Sequence, residues 1–467
     1  MLDIPRQSFG CGRRSWNRRD LLRVGSLSMS GLTLAQWLGW KAQGCVREGG
    51  RAKAVIQLFM LGGPSHLDTW DPKPEAGGDF CGPLKSPIPT NVPGIRISEL
   101  LPRCAQHADK FSILRGCTHP WFSHETAAYV AATGAMPGGD TPCPALGAVV
   151  SLNKGYDAGY QGGLPPYIAL TQPLPWVCDT GFLDAKYQAF ATFGDPNDEN
   201  FSVQELPRPR GSSGSRREDR RTLLESVDAM AREMDRATAL ERMNSFQQEA
   251  YASILGDAKR AFDLGLETNV VREQYGRTYF GQCCLLARRL VERGVPFITV
   301  HWGWWDTHAD NFGAMKANLP AFDQGFAALL QDLSQRGLLE STLVVWHGEF
   351  GRTPRIDPAP PWNGGRHHYP LCYSAVVAGG GFEGGAVLGD SDAKGEFPKH
   401  RPVYPWDLVA SIYALLGISP EAPFGQLQGL AANGAPMQPV NRPAGRLLHE
   451  IMNGPWGHKE SLAARNR

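Results

Sequence analysis

The chain predicts an α/β fold built around a mostly parallel sheet, and three observations carry that expectation. Short apolar, β-rich runs recur, each ended by a glycine turn or a polar cluster. Two of them, Pro296–Val300 and Leu343–Trp346, are separated by one long helical pattern, the grammar of a right-handed βαβ unit. Finally, 54 Gly and 36 Pro in 467 residues call for long strand-to-helix connections. A formal net charge of +1 gives no electrostatic footprint for nucleic acid or an anionic membrane surface. The ten cysteines show no CxxC spacing, and Cys283-Cys284 falls inside a helical pattern as packed core.

The amino terminus reads as an address. Arg13-Arg14 and Arg18-Arg19 precede a weakly apolar run, Val24–Trp40, shorter than the ~20 strongly apolar residues of a spanning helix. Asn17–Leu22 resembles a twin-arginine export signal, which implies the twin-arginine export machinery as partner and a periplasmic or cell-surface location. Residues 1–45 are then signal and linker, and 50–467 the domain. The alternative is a basic disordered tail beside an amphipathic helix.

The domain opens with the strand Ala54–Leu61 and the turn Gly62-Gly63-Pro64. His66 and Asp68 follow as nitrogen and oxygen donors to a metal, or as parts of a capped turn. A second strand, Phe111–Gly116, leads to an Ala-rich helix with Ser123 as N-cap. Its N-terminus suits an anion, and His124 stands there as a catalytic candidate or an incidental residue. Residues 135–215 predict loops and short strands over the sheet's rim. A helical insertion follows around 216–294, with Leu223, Leu224, Val227, Met230 and Met234 on one face.

Five of the twelve histidines lie between Val295 and Tyr369, most beside a carboxylate just past a strand. Asp306 and His308 follow the first strand of the βαβ unit, and His347 and Glu349 end the second. The helix between them carries Met315, Leu319, Phe322, Phe326, Leu330 and Leu333 as core and stops at Gly337. Arg352 and Arg366 are placed to fork onto a tetrahedral anion, and a Pro/Gly-rich loop delivers His367 and His368. A strand, Ala375–Ala378, and a helix from Pro405 to Gly417 complete the pattern, and the last fifty residues read as an irregular tail.

In an open α/β sheet the ligand crevice lies at the carboxyl ends of the strands, where these clusters fall. Imidazole and carboxylate together suit a divalent metal: zinc, manganese, iron or calcium. Asp306, His308, Glu349 and His368 are expected to converge on one ion. The bland alternative is that each pairs locally with a Trp N–H or an arginine.

Ser65–Pro74, Trp305–Phe312 and Gly348–Pro354 resemble the signatures of domain-of-unknown-function family 1501, as do Ala287–Glu292 and Arg401-Pro402-Val403. That resemblance implies the alkaline-phosphatase and sulfatase superfamily, with a large mostly parallel sheet sandwiched between helices. It also implies metal-dependent hydrolysis of phosphate or sulfate esters, with an anionic ester or extracellular polysaccharide as partner. Asp306-Thr307-His308 looks like the superfamily's metal motif, and Asp323 on the next helix has a counterpart there. Three departures stand out: Phe350 replaces a histidine after Glu349, His367 replaces an aspartate, and His124 stands near the nucleophile's place with Ser123 beside it. His124 is then a nitrogen nucleophile or general acid/base. Otherwise the chain is a non-catalytic anion- or partner-binding protein on the same scaffold.

Overall fold

Eight strands make the central sheet: β1 (Ala54–Met60), β2 (Phe111–Cys117), β3 (Tyr167–Leu170), β4 (Phe190–Ala191), β5 (Phe297–Trp302), β6 (Thr342–His347), β7 (Tyr373–Ala378) and β8 (Ala386–Leu388). Their order across the sheet is β8-β2-β7-β6-β1-β5-β3-β4. This is a computed structural model, and it describes residues 50–203 (except 140, 171, 200 and 202), 260–424 (except 304) and 441–453. The expected export signal and most of the helical insertion lie outside the described residues.

β1 is buried along its whole length, as are β6 and β7, so these strands read as continuous apolar runs rather than alternating ones. Both faces are covered. On one, Ile56 and Leu58 join Phe280, Leu285, Phe322 and Phe326 from helices α4 (Tyr279–Glu292) and α5 (Asn311–Gln335). On the other, Val55 and Phe59 join residues of α1 (His124–Thr133), α2 (Leu146–Lys154) and α6 (Pro405–Leu416). A short α3 (Asn269–Tyr275) precedes α4. The caps follow the residues: Ser123 accepts from Thr126 N to start α1, and Gly134, at φ 66, ends it.

β1 pairs in parallel with both β5 and β6, Leu58 lying opposite Val300 and Trp346. The two strands of the expected βαβ unit therefore straddle β1 instead of touching. β7 runs antiparallel to β2 and β6, while the remaining pairs are parallel. That reversed strand matters for the site. It begins at the edge where β1, β2, β5 and β6 end, so the loop before it is carried across their carboxyl ends.

Two expectations are corrected. The rim region has the expected short strands, β3 and β4 at the sheet's end, but it also contains α2, which is buried on nearly every side and so has no polar face to reveal a helical period. The tail is not all idle either: Leu448, Ile451 and Met452 are buried, and Leu448 N donates to Ser411 Oγ of α6.

Candidate active site

Four segments meet at the carboxyl edge of the sheet: the β1 turn, the start of α1, the β5–α5 turn, and the stretch from β6 to β7. Glycine permits the first contact, since a Cβ on Gly62 (φ +108) would lie 2.4 Å from Asp306 N. Gly62 N donates to Glu349 Oε1 (2.8 Å). Glu349 is wholly buried, and its Oε2 has no hydrogen-bond partner among the described residues.

His124 bridges two carboxylates. Its Nδ1 lies 2.6 Å from Glu349 Oε1 and its Nε2 3.4 Å from Asp306 Oδ2. Burial pulls the imidazole's pKa down, but the hydrogen bonds to Asp306 and Glu349 outweigh it and raise the pKa to about 9. Asp306 Oδ1 then faces His308 Nε2 at 3.1 Å and His368 Nε2 at 3.3 Å, and those two nitrogens are 3.0 Å apart. Arg352 also bonds this oxygen. Burial alone would raise the Asp306 pKa; the bonds to His124 and His368, with the Arg352 charge, hold it well below the carboxylate range.

The donor set fits a divalent cation. His368 Nδ1 lies 2.8 Å from Phe122 O, and a carbonyl only accepts, so Nδ1 carries a proton, and Nε2, turned toward Asp306 Oδ1, is the position that either a second proton or a metal ion can take. Two acceptors, Nε2 and Asp306 Oδ1, then face each other and need a proton or a metal ion between them. Edges of 3.0–3.3 Å in the Asp306–His308–His368 triangle suit a tetrahedral site, whose ~2.0–2.1 Å bonds give edges of about 3.3 Å. Ligand atoms of His124, Asp306 and His368 also lie within 4.8 Å of one another.

Asp306, His308 and His368 are thus brought together as expected, and His124 joins them. Glu349 stands behind His124 instead of in the triangle. His66 and Asp68 do not join it. Asp68, buried, accepts from Asn311 Nδ2 (2.8 Å) and lies 2.8 Å from Arg366 Nε, so both its oxygens are engaged. His66 Nε2 meets Gly395 O at 2.8 Å, and burial pushes its pKa down to about 4. Arg352 and Arg366 are not open forks. Arg352 is buried and donates to Gly62 O, Gly63 O, Arg366 O and Asp306, whereas Arg366 donates to Thr353 O, Pro354 O, Phe80 O and Asp68. Backbone carbonyls, Gly62 O and Gly63 O of the glycine turn among them, take up most of these guanidinium donors. Asp323 caps the short helix Pro102–Ala105, accepting from Arg103 N and Cys104 N. His347 is likewise core, 3.0 Å from Gln57 Nε2.

Sequence reasoning missed Asp357, whose Oδ2 lies 3.2 Å from His367 Nε2, and the aromatic rim of Phe122 and Trp362. The Gly364-Gly365 pair was the available signal of a close approach there.

A family model described as "Protein of unknown function (DUF1501)" matches residues 52–451. No curated protein matches. Solved structures similar to this chain include an alkaline phosphatase from the Antarctic bacterium TAB5, at 9% identity and TM-score 0.37, covering 78% of this chain and 98% of that one. A sulfatase from Pseudoalteromonas sp. aligns at 14% identity and TM-score 0.33, over 85% of this chain and 72% of that one. The lipoteichoic acid synthase of Listeria monocytogenes aligns at 8% identity and TM-score 0.35, over 81% and 77%.

Proposed function

The chain belongs to the DUF1501 family, and we propose that this member is an exported metal-dependent hydrolase of phosphate or sulfate esters. The observation that carries the reading is the triangle of Asp306 Oδ1, His308 Nε2 and His368 Nε2, three atoms of ligand type within 3.0–3.3 Å of one another at the sheet's carboxyl edge. These three would hold the ion, with His124 beside them. A bound divalent cation there would neutralise an ester oxyanion and activate water. His124 supplies the rest from the protein itself. The buried Glu349 carboxylate holds its Nδ1 and fixes the ring, so that Nε2, 3.4 Å from Asp306 Oδ2, would serve as proton carrier, or as nucleophile once it has given up its proton. Trp362, 36% exposed, packs on His308 and His367, and Phe122, 49% exposed, meets His368 through its carbonyl; the two rings would offer flat apolar surfaces to a glycan carrying the ester.

The test is elemental analysis of untagged protein, followed by turnover of aryl phosphate and aryl sulfate esters. Stoichiometric metal with chelator-sensitive hydrolysis is expected. No metal after expression with zinc, manganese, iron and calcium, and unmoved melting on adding them, would end the reading.

One observation favours a second reading, a non-catalytic anion- or partner-binding protein. The Ser123 hydroxyl is engaged as N-cap with Thr126 N and with Glu125, and Phe350 packs against both His124 and His368. Metal binding with no turnover of either ester, in protein that phosphate or sulfate stabilises, selects it.

Export rests on the paired arginines, and no helix among the described residues is long and apolar enough to cross a membrane. Arg18→Lys with Arg19→Lys should leave the protein in the cytoplasm; export of that double variant at the normal level excludes a twin-arginine signal.

A further inference from the structure

His308 has two ring nitrogens, and both are engaged. Nε2 belongs to the triangle, while Nδ1 lies 2.9 Å from His367 Nδ1. His367 in turn places Nε2 3.2 Å from Asp357 Oδ2. A carboxylate only accepts, so a neutral His367 must carry its proton on Nε2 and leave Nδ1 as a lone pair. That lone pair can be satisfied only by a proton on His308 Nδ1. The proton positions therefore follow from Asp357 inward, and the last nitrogen in the chain, His308 Nε2, is left bare.

The backbone around this chain is held for the purpose. Arg366 N donates to Thr307 O (2.9 Å), Asp310 N to Trp362 O (3.0 Å), and His367 N to Thr353 Oγ1 (3.0 Å). Gly365 sits so close that a Cβ there would lie 1.7 Å from His308 O. The Trp362 ring stands edge-on to His367 at 4.9 Å and limits its rotation.

Resting on the metal-centre reading above, we propose that Asp357 and His367 are an outer positioning pair that fixes the tautomer and ring of His308 and aims its Nε2 lone pair at the metal. Outer hydrogen-bond partners of this kind set ligand orientation and basicity, and their loss costs roughly 10–100-fold in metal affinity. The carboxylate here acts through a second imidazole.

Zinc affinity, measured by competition with a chromophoric chelator, tests the pair. His367→Leu should weaken zinc roughly 10–100-fold and alter the ligand-field spectrum of the cobalt-loaded protein. His367→Asn keeps an acceptor near the Nδ1 position and should restore affinity and spectrum toward wild type. Metal-free melting separates loss of fold from loss of aim. Should His367→Leu not fold, Asp357→Ser, which retains an oxygen for the Ala359 N bond, gives the same reading. Wild type that binds zinc while His367→Leu binds it equally tightly, with an unchanged cobalt spectrum, overturns this proposal alone. Wild type that binds no zinc overturns the metal centre and the positioning pair together.

Discussion

Replacing Asp68 by Asn separates the two roles this residue could have. Its carboxylate lies 2.8 Å from Arg366 Nε, with relative exposures of 1% and 0%. The Arg366 guanidinium has three carbonyl partners but no other carboxylate within ion-pair distance among the described residues. Truncating one member of such a buried pair leaves a charge without its counter-ion and costs on the order of 3–5 kcal/mol. With a melting entropy of about 2.1 cal/mol/K per residue over roughly 400 folded residues, each kcal/mol moves the midpoint by about 1.2 °C. Asp68→Asn should therefore melt about 4–6 °C below wild type. The assay is thermal melting with and without a chelator. If Asp68 pairs with Arg366, the gap persists when metal is stripped. If the chelator erases the gap, Asp68 is a metal ligand and the ion-pair reasoning is refuted.

Asp306→Asn and His308→Ala should each lower metal content and melting temperature together, and there the chelator should remove the difference from wild type; a persistent difference would count against the triangle as the ion site. Arg352→Lys removes a fork that serves Gly62 O, Gly63 O, Arg366 O and Asp306. Buried acceptors left unpaired cost about 1–3 kcal/mol each, so urea stability should drop while phosphate protects variant and wild type alike; selective loss of protection would restore the arginine to an anion site. Burial pushes His66, His119, His301 and His347 down to about 4. The unfolded chain, with imidazoles near ~6.5, binds more protons than the native state between that pH and about 4, so stability falls as pH drops through the window. His347→Gln should flatten the slope there by about 1.4 kcal/mol per pH unit, read from urea melts at stepped pH. In metal-free protein His124, raised to about 9, works in the opposite sense: its contribution is full below ~6.5 and is lost as pH climbs toward 9.

What the sequence made legible was local. The strands at Ala54, Phe111, Phe297 and Thr342 announce themselves as apolar runs ended by glycine or polar clusters. Ser123, Gly134, Gly337 and Gly417 mark helix limits because capping is decided within a few residues. The long-range pairings were not legible. Nothing near Ala54 says that β1 lies between β5 and β6, and nothing near Tyr373 says that its strand is reversed. The site follows the same division. Asp306 and His308 share one turn and could be read together, whereas His124 and Glu349 are 225 positions apart and meet only through the sheet. His66 and Asp68 carried the right residue types after a strand. Their direction was decided by Arg366, 298 positions from Asp68, and no local pattern encodes that.

The reversed strand gives those pairings a common cause. A parallel strand delivers the loop after it to the carboxyl edge, which here accounts for Gly62, His124 and Asp306. Because β7 is reversed, the whole connection from β6 to β7 stays at that edge, and it brings Glu349, Asp357, Trp362, Arg366, His367 and His368 at once. Asp306 is where the two sets join, with Oδ2 toward His124 and Oδ1 toward His308, His368 and Arg352. The hydrogen bonds from His124 and His368, with the buried guanidinium beside them, keep this carboxylate ionised, so the ligand atom is available at neutral pH without first losing a proton. Arg352 would compete with a cation for Oδ1, and Gly62 O, Gly63 O and Arg366 O would remain to hold the arginine if an ion drew that oxygen partly away.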